Sequence, residues 1–181
     1  ELFINLKKSF SKSVSADLYI NVQGDEPLIQ PEEIARFVAQ AEEQPEHVLN
    51  GFAPIESDIE YRSLAVPKVV MRQDGLLLYM SRSPIPGNKD NEFRGAMKQI
   101  CMYSFPKRYL ERFGTHEGKT PLEEHEDIEI LRLVELGVPV HMVACASGTI
   151  AVDFPEDIAR VEAQLEAQTA MAQTQSQTTK P

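Results

Sequence analysis

Two acidic turns, far apart in the sequence, carry the residues with the clearest chemical potential. In the first, an apolar stretch at residues 18–22 leads into Gly24 and Asp25. In the second, the apolar stretch 150–152 leads into Asp153, just before a predicted helix. Ligands of open α/β sheets bind beyond the carboxyl ends of strands. We therefore expect both aspartates at the mouth of one cleft.

Two carboxylates arranged in this way could hold a divalent cation. Mg²⁺ prefers oxygen ligands and usually takes one or two carboxylates, with water and substrate phosphates completing its shell. Each turn also has a purely structural explanation. The run Gly24-Asp25-Glu26-Pro27 is favourable turn chemistry, and Asp153 followed by Glu156 matches a helix capping box, worth about 1 kcal/mol. Spacing alone keeps both explanations open.

The bulk composition limits the class of protein. The chain of 181 residues is long enough for one domain with its own core and too short to require two. No apolar run approaches the roughly 20 residues that cross a bilayer, so no membrane insertion is expected. The net charge of −10 repels polyanions and argues against nucleic acid as a partner. A small triphosphate neutralised by a metal ion is still compatible with this charge.

The cysteines and the start of the chain bear on location and completeness. Cys101 and Cys145 lie in apolar segments, which is typical of buried thiols in a reducing compartment. No secretory leader opens the chain, so we expect a cytoplasmic protein. The chain begins at Glu1 and enters an amphipathic stretch without a preceding strand. We therefore expect part of the sheet and of the site to be missing at the amino terminus.

Helical and strand-like patterns alternate along the chain. Helices are predicted at residues 1–12, from Pro31 onward, and at 106–113, 121–136 and 155–167; strands are predicted at 18–22, 97–104 and 139–146, with a hairpin around Asp74-Gly75. This alternation predicts an α/β fold with a mainly parallel sheet, helices on both faces and one antiparallel hairpin. Residues 1–167 should form the domain. The Gln-, Thr- and Ala-rich segment 168–181 is predicted to be disordered.

The helix at 121–136 has the best-defined ends. Thr120, Pro121 and Glu123 occupy the N-cap, N1 and N3 positions of a capping box, and Gly137 is placed for the residue after the last turn.

Five motifs follow one another along the chain: NVQGDEP (21–27), YMSRSPIP (79–86), KQICMY (98–103), LEEHEDIEILR (122–132) and VDFPEDI (152–158). In this order they resemble the 3-deoxy-manno-octulosonate (Kdo) cytidylyltransferases, the CMP-Kdo synthetases, over about residues 18–165. The resemblance implies a Rossmann-like nucleotidyltransferase fold. It also implies Mg²⁺-dependent transfer of CMP from CTP to the anomeric hydroxyl of Kdo or a related ulosonic acid, with release of pyrophosphate, for lipopolysaccharide or capsule biosynthesis. A homodimer is implied as well.

Residue roles follow from the same resemblance. Asp25 and Asp153 correspond to catalytic, metal-binding aspartates. The residues expected to bind substrate are Gln23, Arg82, Gln99, Tyr103 and Glu129.

Three of these residues have structural alternatives that the sequence leaves open. Arg82 could hold a sugar carboxylate through two parallel N–H bonds, or it could form weak surface pairs. Tyr103 could recognise a sugar hydroxyl or be a core aromatic residue with a satisfied hydroxyl. Glu129 could accept from sugar hydroxyls or pair with Arg132 one helical turn later.

The chain also departs from the family pattern. Gln99 replaces a histidine and Ile130 replaces a glutamine, so we expect either a different ulosonic acid or a site rebuilt around Gln99. The glycine- and lysine-containing phosphate loop that opens the family pattern is absent. A non-catalytic sugar-acid or nucleotide-binding module of the same fold is therefore the alternative function, and a nucleotide-sugar glycosyltransferase is a weaker third.

Overall fold

The computed structural model describes residues 16–146, 150–152 and 155–178, with side chains described as far as residue 167. The strands are β1 (Leu18–Val22), β2 (Val48–Pro54), β3 (Lys68–Met71), β4 (Leu77–Ser81), β5 (Met97–Pro106) and β6 (Val140–Ala144). The helices are α1 (Pro31–Glu43), α2 (Asp58–Arg62), α3 (Lys107–Thr115), α4 (Pro121–Glu126), α5 (Ile130–Glu135) and α6 (Pro155–Thr178). The helix predicted at 1–12 lies outside the described residues.

The long strand β5 organises one six-stranded sheet, in the order β4-β3-β5-β2-β6, with β1 also paired to β5. The predicted α/β class and the β3–β4 hairpin are confirmed. The expectation of a mainly parallel sheet is wrong for the described strands, among which only β2 and β6 pair in parallel. The physical reason is that β5 lies between β3 on one side and β2 on the other, with β1 also beside it, and runs opposite to all three, so each of its pairings is antiparallel.

Helices cover both faces of the sheet, as predicted. Successive strand residues point to opposite faces, so Val48 and Leu49 of β2 belong to different clusters. Val48 packs with apolar residues of α3 and α5, including Phe113 and Leu131. Leu49 packs with Phe37 and Ala41 of α1. Among the described residues, no helix is long and apolar enough to cross a membrane.

The helix predicted over 121–136 is interrupted in the structure. Its start is confirmed, because Thr120 donates its backbone N–H to Glu123 Oε2 at 3.2 Å. The predicted role of Gly137 after the last turn is also confirmed, because Gly137 adopts a positive φ of 75° beyond the end of α5. Asp127, however, has a left-handed backbone with φ 52°, and its N–H bonds the Glu123 carbonyl at 2.9 Å. Two short helices therefore replace one, since aspartate tolerates this conformation better than most residues.

Helix α6 continues to Thr178, through most of the segment for which composition predicts disorder. Alanine, glutamine and methionine are good helix formers, so a polar tail of this composition can extend an existing helix. The division into a domain at 1–167 and a disordered tail stays a prediction.

A buried ion pair joins α4 to α5. The Arg132 guanidinium donates to both oxygens of Glu123 at 2.5 Å and lies 3.9 Å from the centroid of the Phe113 ring. The Glu123 side chain is only 1% exposed and that of Arg132 is 12% exposed. Removing one partner of such a pair leaves an uncompensated charge in the interior.

We predict that Arg132→Met lowers the free energy of unfolding by about 3–5 kcal/mol, because it leaves the Glu123 carboxylate buried without its cation. Urea denaturation measures the change. The matched control is Arg94→Met, whose partners Asp90 and Glu92 are more than half exposed; it should cost about 0–1 kcal/mol. Equal losses in the two variants would contradict the prediction.

Candidate functional site

One edge of β5 is only partly covered by strands. The first two residues of β5 pair with β3 and its last five pair with β1, which leaves a gap between them. At this gap the Cys101 backbone carbonyl accepts the backbone N–H of Gln23 at 3.1 Å, and the Cys101 backbone N–H donates to Glu26 Oε1 at 2.6 Å. A carboxylate thus takes the place of a missing strand. The acidic turn after β1 is tied by this bond to the middle of the sheet.

A cleft of about 1370 Å³ opens over the gap. Pockets for a single small molecule usually have volumes of roughly 300–1,000 Å³, so there is room for two substrates. Six of the seven predicted site residues line the cleft: Gln23, Asp25, Arg82, Gln99, Tyr103 and Glu129. Asp153 lies outside the described residues. The roles assigned to all seven stay predictions.

Asp25 has the features of a cation ligand. Its Oδ1 atom is buried and has no hydrogen-bond partner in the described part of the chain. A buried carboxylate oxygen in a protein normally has a partner, and one without a partner requires an explanation. Its backbone carbonyl accepts the N–H of Val152 at 2.8 Å. The chain directly before Asp153 is therefore bonded to the Asp25 turn.

Arg82 joins three segments at the base of the cleft. Its Nε donates to the Glu126 carbonyl at 2.7 Å and its Nη2 to the Asp127 carbonyl at 3.1 Å, at the C-terminal end of α4. Its Nη1 donates to the Leu64 carbonyl at 3.0 Å. A cation at a helix C-terminus is favoured by the exposed carbonyls and by the helix dipole. Arg82 is therefore not a residue that forms weak surface pairs.

Lys68 bonds the backbone of the same region. Its side chain is completely buried, and its Nζ donates to the carbonyls of Ser63, Val66 and Arg82 at 2.6, 2.8 and 2.6 Å. Burial, and then the nearby positive charge of Arg82, lower the pKa of Lys68 to about 8. All three ammonium N–H groups therefore donate to backbone carbonyls of residues that line or adjoin the cleft.

Glu126 is the acidic partner of this group. Its Oε1 accepts from the hydroxyls of Tyr79 and Ser81 at 3.0 and 2.7 Å, and its Oε2 accepts the backbone N–H of Arg82 at 2.9 Å. Burial alone would raise the pKa of Glu126, but these three hydrogen bonds outweigh it and lower the pKa. The carboxylate therefore remains charged and joins β4 to α4.

Tyr103 and Cys101 keep their protons inside the cleft wall. Burial raises the pKa of the Tyr103 hydroxyl well above its ordinary value. Burial, and then the charges of Glu26 and Asp25, raise the pKa of the Cys101 thiol. A nucleophilic cysteine needs a lowered pKa. These two groups can donate or accept hydrogen bonds, but Cys101 has no thiolate for covalent catalysis.

Comparisons with known proteins identify the group to which this site belongs. The model of the family described as "Cytidylyltransferase" matches residues 2–140. The chain belongs to the cytidylyltransferase family. The 3-deoxy-manno-octulosonate cytidylyltransferase of Acidobacterium capsulatum is 37% identical over 153 residues, covering 84% of this chain and 62% of the relative. That of Chloroherpeton thalassium is 39% identical over 157 residues, covering 84% and 63%.

A solved structure agrees with this membership. The structure of a CMP:2-keto-3-deoxy-manno-octonic acid synthetase complexed with CTP has a TM-score of 0.80 and 29% identity, and the match covers 93% of this chain and 69% of the other. The predicted Rossmann-like nucleotidyltransferase fold is confirmed. The chain spans somewhat less than two thirds of the length of the two curated relatives.

The structural alternative for Glu129 is wrong as well. The Arg132 guanidinium contacts Glu123 and the Phe113 carbonyl rather than the Glu129 side chain. Glu129 is half-buried, just before α5, and lines the cleft. The alternative for Tyr103 is supported in part, because Tyr103 belongs to a core cluster and also lines the cleft.

Several residues that shape the cleft are not among those predicted from the sequence. Lys98 Nζ pairs with Glu60 Oε1 at 2.5 Å in the cleft wall, and both side chains are mostly buried. Glu26 and Lys68 are not predictable from residue types, since they bond backbone atoms, which every residue carries. Lys98 could have been noticed, because a lysine directly before Gln99 in an otherwise apolar strand is unusual.

We predict that the contribution of Lys68 to stability rises with pH above about 8. Its pKa falls from 10.5 in the unfolded chain to about 8 in the fold, so the unfolded state binds the extra proton between these values, and the free energy of unfolding increases with pH there. The difference in free energy of unfolding between wild type and Lys68→Met should therefore grow from pH 7.5 to 10. Surface Lys89→Met is the control. A flat or falling difference for Lys68→Met would contradict the assignment.

Proposed function

We propose that the protein transfers CMP from CTP to the anomeric hydroxyl of Kdo or a related ulosonic acid, releasing pyrophosphate, in lipopolysaccharide or capsule biosynthesis. The observation that carries this proposal is the buried Asp25 Oδ1, which has no partner among the described residues and belongs to a residue of the cleft wall. Family membership and the names of the relatives support the chemistry. The two free cysteines fit the proposed cytoplasmic location. A homodimer remains a prediction.

Asp25 and Asp153 would hold Mg²⁺ in this reaction. The bound ion supplies shielding of the phosphate charges and activation of the attacking oxygen. The Asp25 side fits this role, since its Oδ1 has no hydrogen-bond partner in the part of the chain that the structure describes. The Val152–Asp25 hydrogen bond supports the proposed role of Asp153, because it anchors the residue before it.

The other cleft residues bind and orient the substrates. Arg82 commits its Nε and Nη1 to backbone carbonyls and keeps one Nη2 N–H without a partner among the described residues. We therefore propose a single Arg82 contact with the sugar carboxylate rather than a bidentate one. The protonated Tyr103 hydroxyl and the Glu129 carboxylate would contact sugar hydroxyls, and Gln23 and Gln99 would complete the lining. Catalysis then depends on positioning and electrostatics, as expected for phosphoryl transfer.

We predict that Asp25→Asn and Asp153→Asn each reduce turnover by at least about 100-fold without unfolding the protein, since even indirect metal partners are worth about 10- to 100-fold. Pyrophosphate release from CTP, Mg²⁺ and a panel of ulosonic acids measures the effect. The matched control is Asp74→Asn, an exposed aspartate in the β3–β4 turn, which should retain activity. Chelation of Mg²⁺ should abolish activity in wild type.

The same assay distinguishes the alternative function. It is run on this chain and on a form extended to the length of its relatives. If neither form releases pyrophosphate, the enzyme proposal is overturned. Retained binding of CTP or of the sugar acid, with no pyrophosphate release from either form, would instead support a non-catalytic binding module.

A further inference from the structure

An irregularity in the sheet fixes one polar side chain in the cleft wall. Asn50 and Gly51 are consecutive in β2, but their partners in β5 are Tyr103 and Ile100, so β5 carries two extra residues at this point. Bulges of this kind leave backbone groups without their ladder partners. The Asn50 side chain fills the bulge: its Nδ2 donates to the carbonyls of Ile100 and Met102, both at 3.0 Å.

The orientation of the Asn50 amide is determined by these contacts. Carbonyl oxygens can only accept hydrogen bonds, so the nitrogen of the amide must face them. The reversed amide would bring Oδ1 to 3.0 Å from two other oxygens. Asn50 is completely buried, so no other arrangement could be compensated by solvent. Its Oδ1 is therefore a fixed acceptor.

The fixed acceptor in turn orients Gln99. Gln99 Nε2 donates to Asn50 Oδ1 at 2.8 Å. Turning the Gln99 amide over would place oxygen against oxygen, so the nitrogen end is held at Asn50. The opposite end, Oε1, has no partner among the described residues. Gln99 is half-buried and lines the cleft.

We propose that Asn50 is a positioning residue that sets the hydrogen-bond polarity of Gln99, so that Gln99 Oε1 accepts a hydrogen bond from a hydroxyl of a bound substrate. The inference rests on the proposed cytidylyl transfer and adds a specificity rule to it. A substrate group facing Gln99 must donate. The hydroxyl belongs to the sugar acid or to the ribose of CTP, and the two sources share this chemistry.

The test replaces each substrate hydroxyl except the reacting anomeric one in turn by fluorine, which cannot donate, and by an amino group, which can. The sugar acid and the 2′ and 3′ positions of the CTP ribose are the two arms. With wild type in the full-length protein, one fluorinated compound should lose about tenfold or more in kcat/KM, while its amino counterpart keeps most of the activity. The arm in which the loss occurs identifies the source of the hydroxyl.

Two variants connect the loss to Gln99. Gln99→Leu should react equally poorly with the natural and the fluorinated compound, because the acceptor is gone. Gln73→Leu, an exposed glutamine in the β3–β4 turn, should keep the wild-type loss. In Asn50→Ala the Gln99 amide can turn over, so the gap between fluorinated and amino compounds should shrink. Thermal melting shows whether this variant folds.

A structural measurement tests the same orientation without activity. In wild type, NMR should detect a through-space contact between the side-chain amide protons of Gln99 and the side chain of Asn50, with Gln99→Leu used for assignment. Absence of this contact, or equal kcat/KM for every fluorinated and amino pair, would overturn the proposal. Absence of any turnover by the full-length wild type would instead overturn the proposed function.

Discussion

The site depends on the hydrogen bond between the Cys101 backbone N–H and the Glu26 carboxylate. Buried backbone donors must be paired, and at this point neither β1 nor β3 supplies a neighbouring strand. Glu26 Oε1 accepts the Cys101 N–H at 2.6 Å, and Glu26 is only 6% exposed. The requirement to pair one donor in the sheet therefore fixes the turn that carries Asp25. A longer β1 would satisfy the same donor but would close the gap over which the cleft opens.

The cations near the cleft are largely committed to the protein itself. Lys68 bonds three backbone carbonyls, Arg82 bonds four, and Lys98 pairs with Glu60. The bonds of Lys68 and Arg82 stabilise the loop at residues 63–66, which has no regular structure of its own. They use all three ammonium donors of Lys68 and most N–H donors of Arg82, so these two side chains keep few donors for direct hydrogen bonds to a triphosphate.

Local sequence patterns predicted the helices, strands and turns that depend on residues close together in the chain. The strand at 18–22, the Asp74-Gly75 hairpin and the start of α4 follow from a short apolar run, turn chemistry and capping. Strand β2 was missed because Asn50 and Gly51 interrupt an otherwise apolar run, and such residues weaken a strand pattern. The partners of Arg82 and Lys68 could not be predicted. They are backbone carbonyls, which every residue type carries, so the sequence does not indicate which of them accept.

The family resemblance shows what the change at residue 99 means physically. The family pattern has a histidine there, and an imidazole can donate or accept according to its tautomer and to pH. The Gln99 amide has no protonation equilibrium near neutral pH, and Asn50 Oδ1 holds its nitrogen end at 2.8 Å. The replacement therefore exchanges a group of variable polarity for one of fixed polarity. Asn50 belongs to the bulge that β2 and β5 share, so holding the Gln99 amide requires no additional element of the fold.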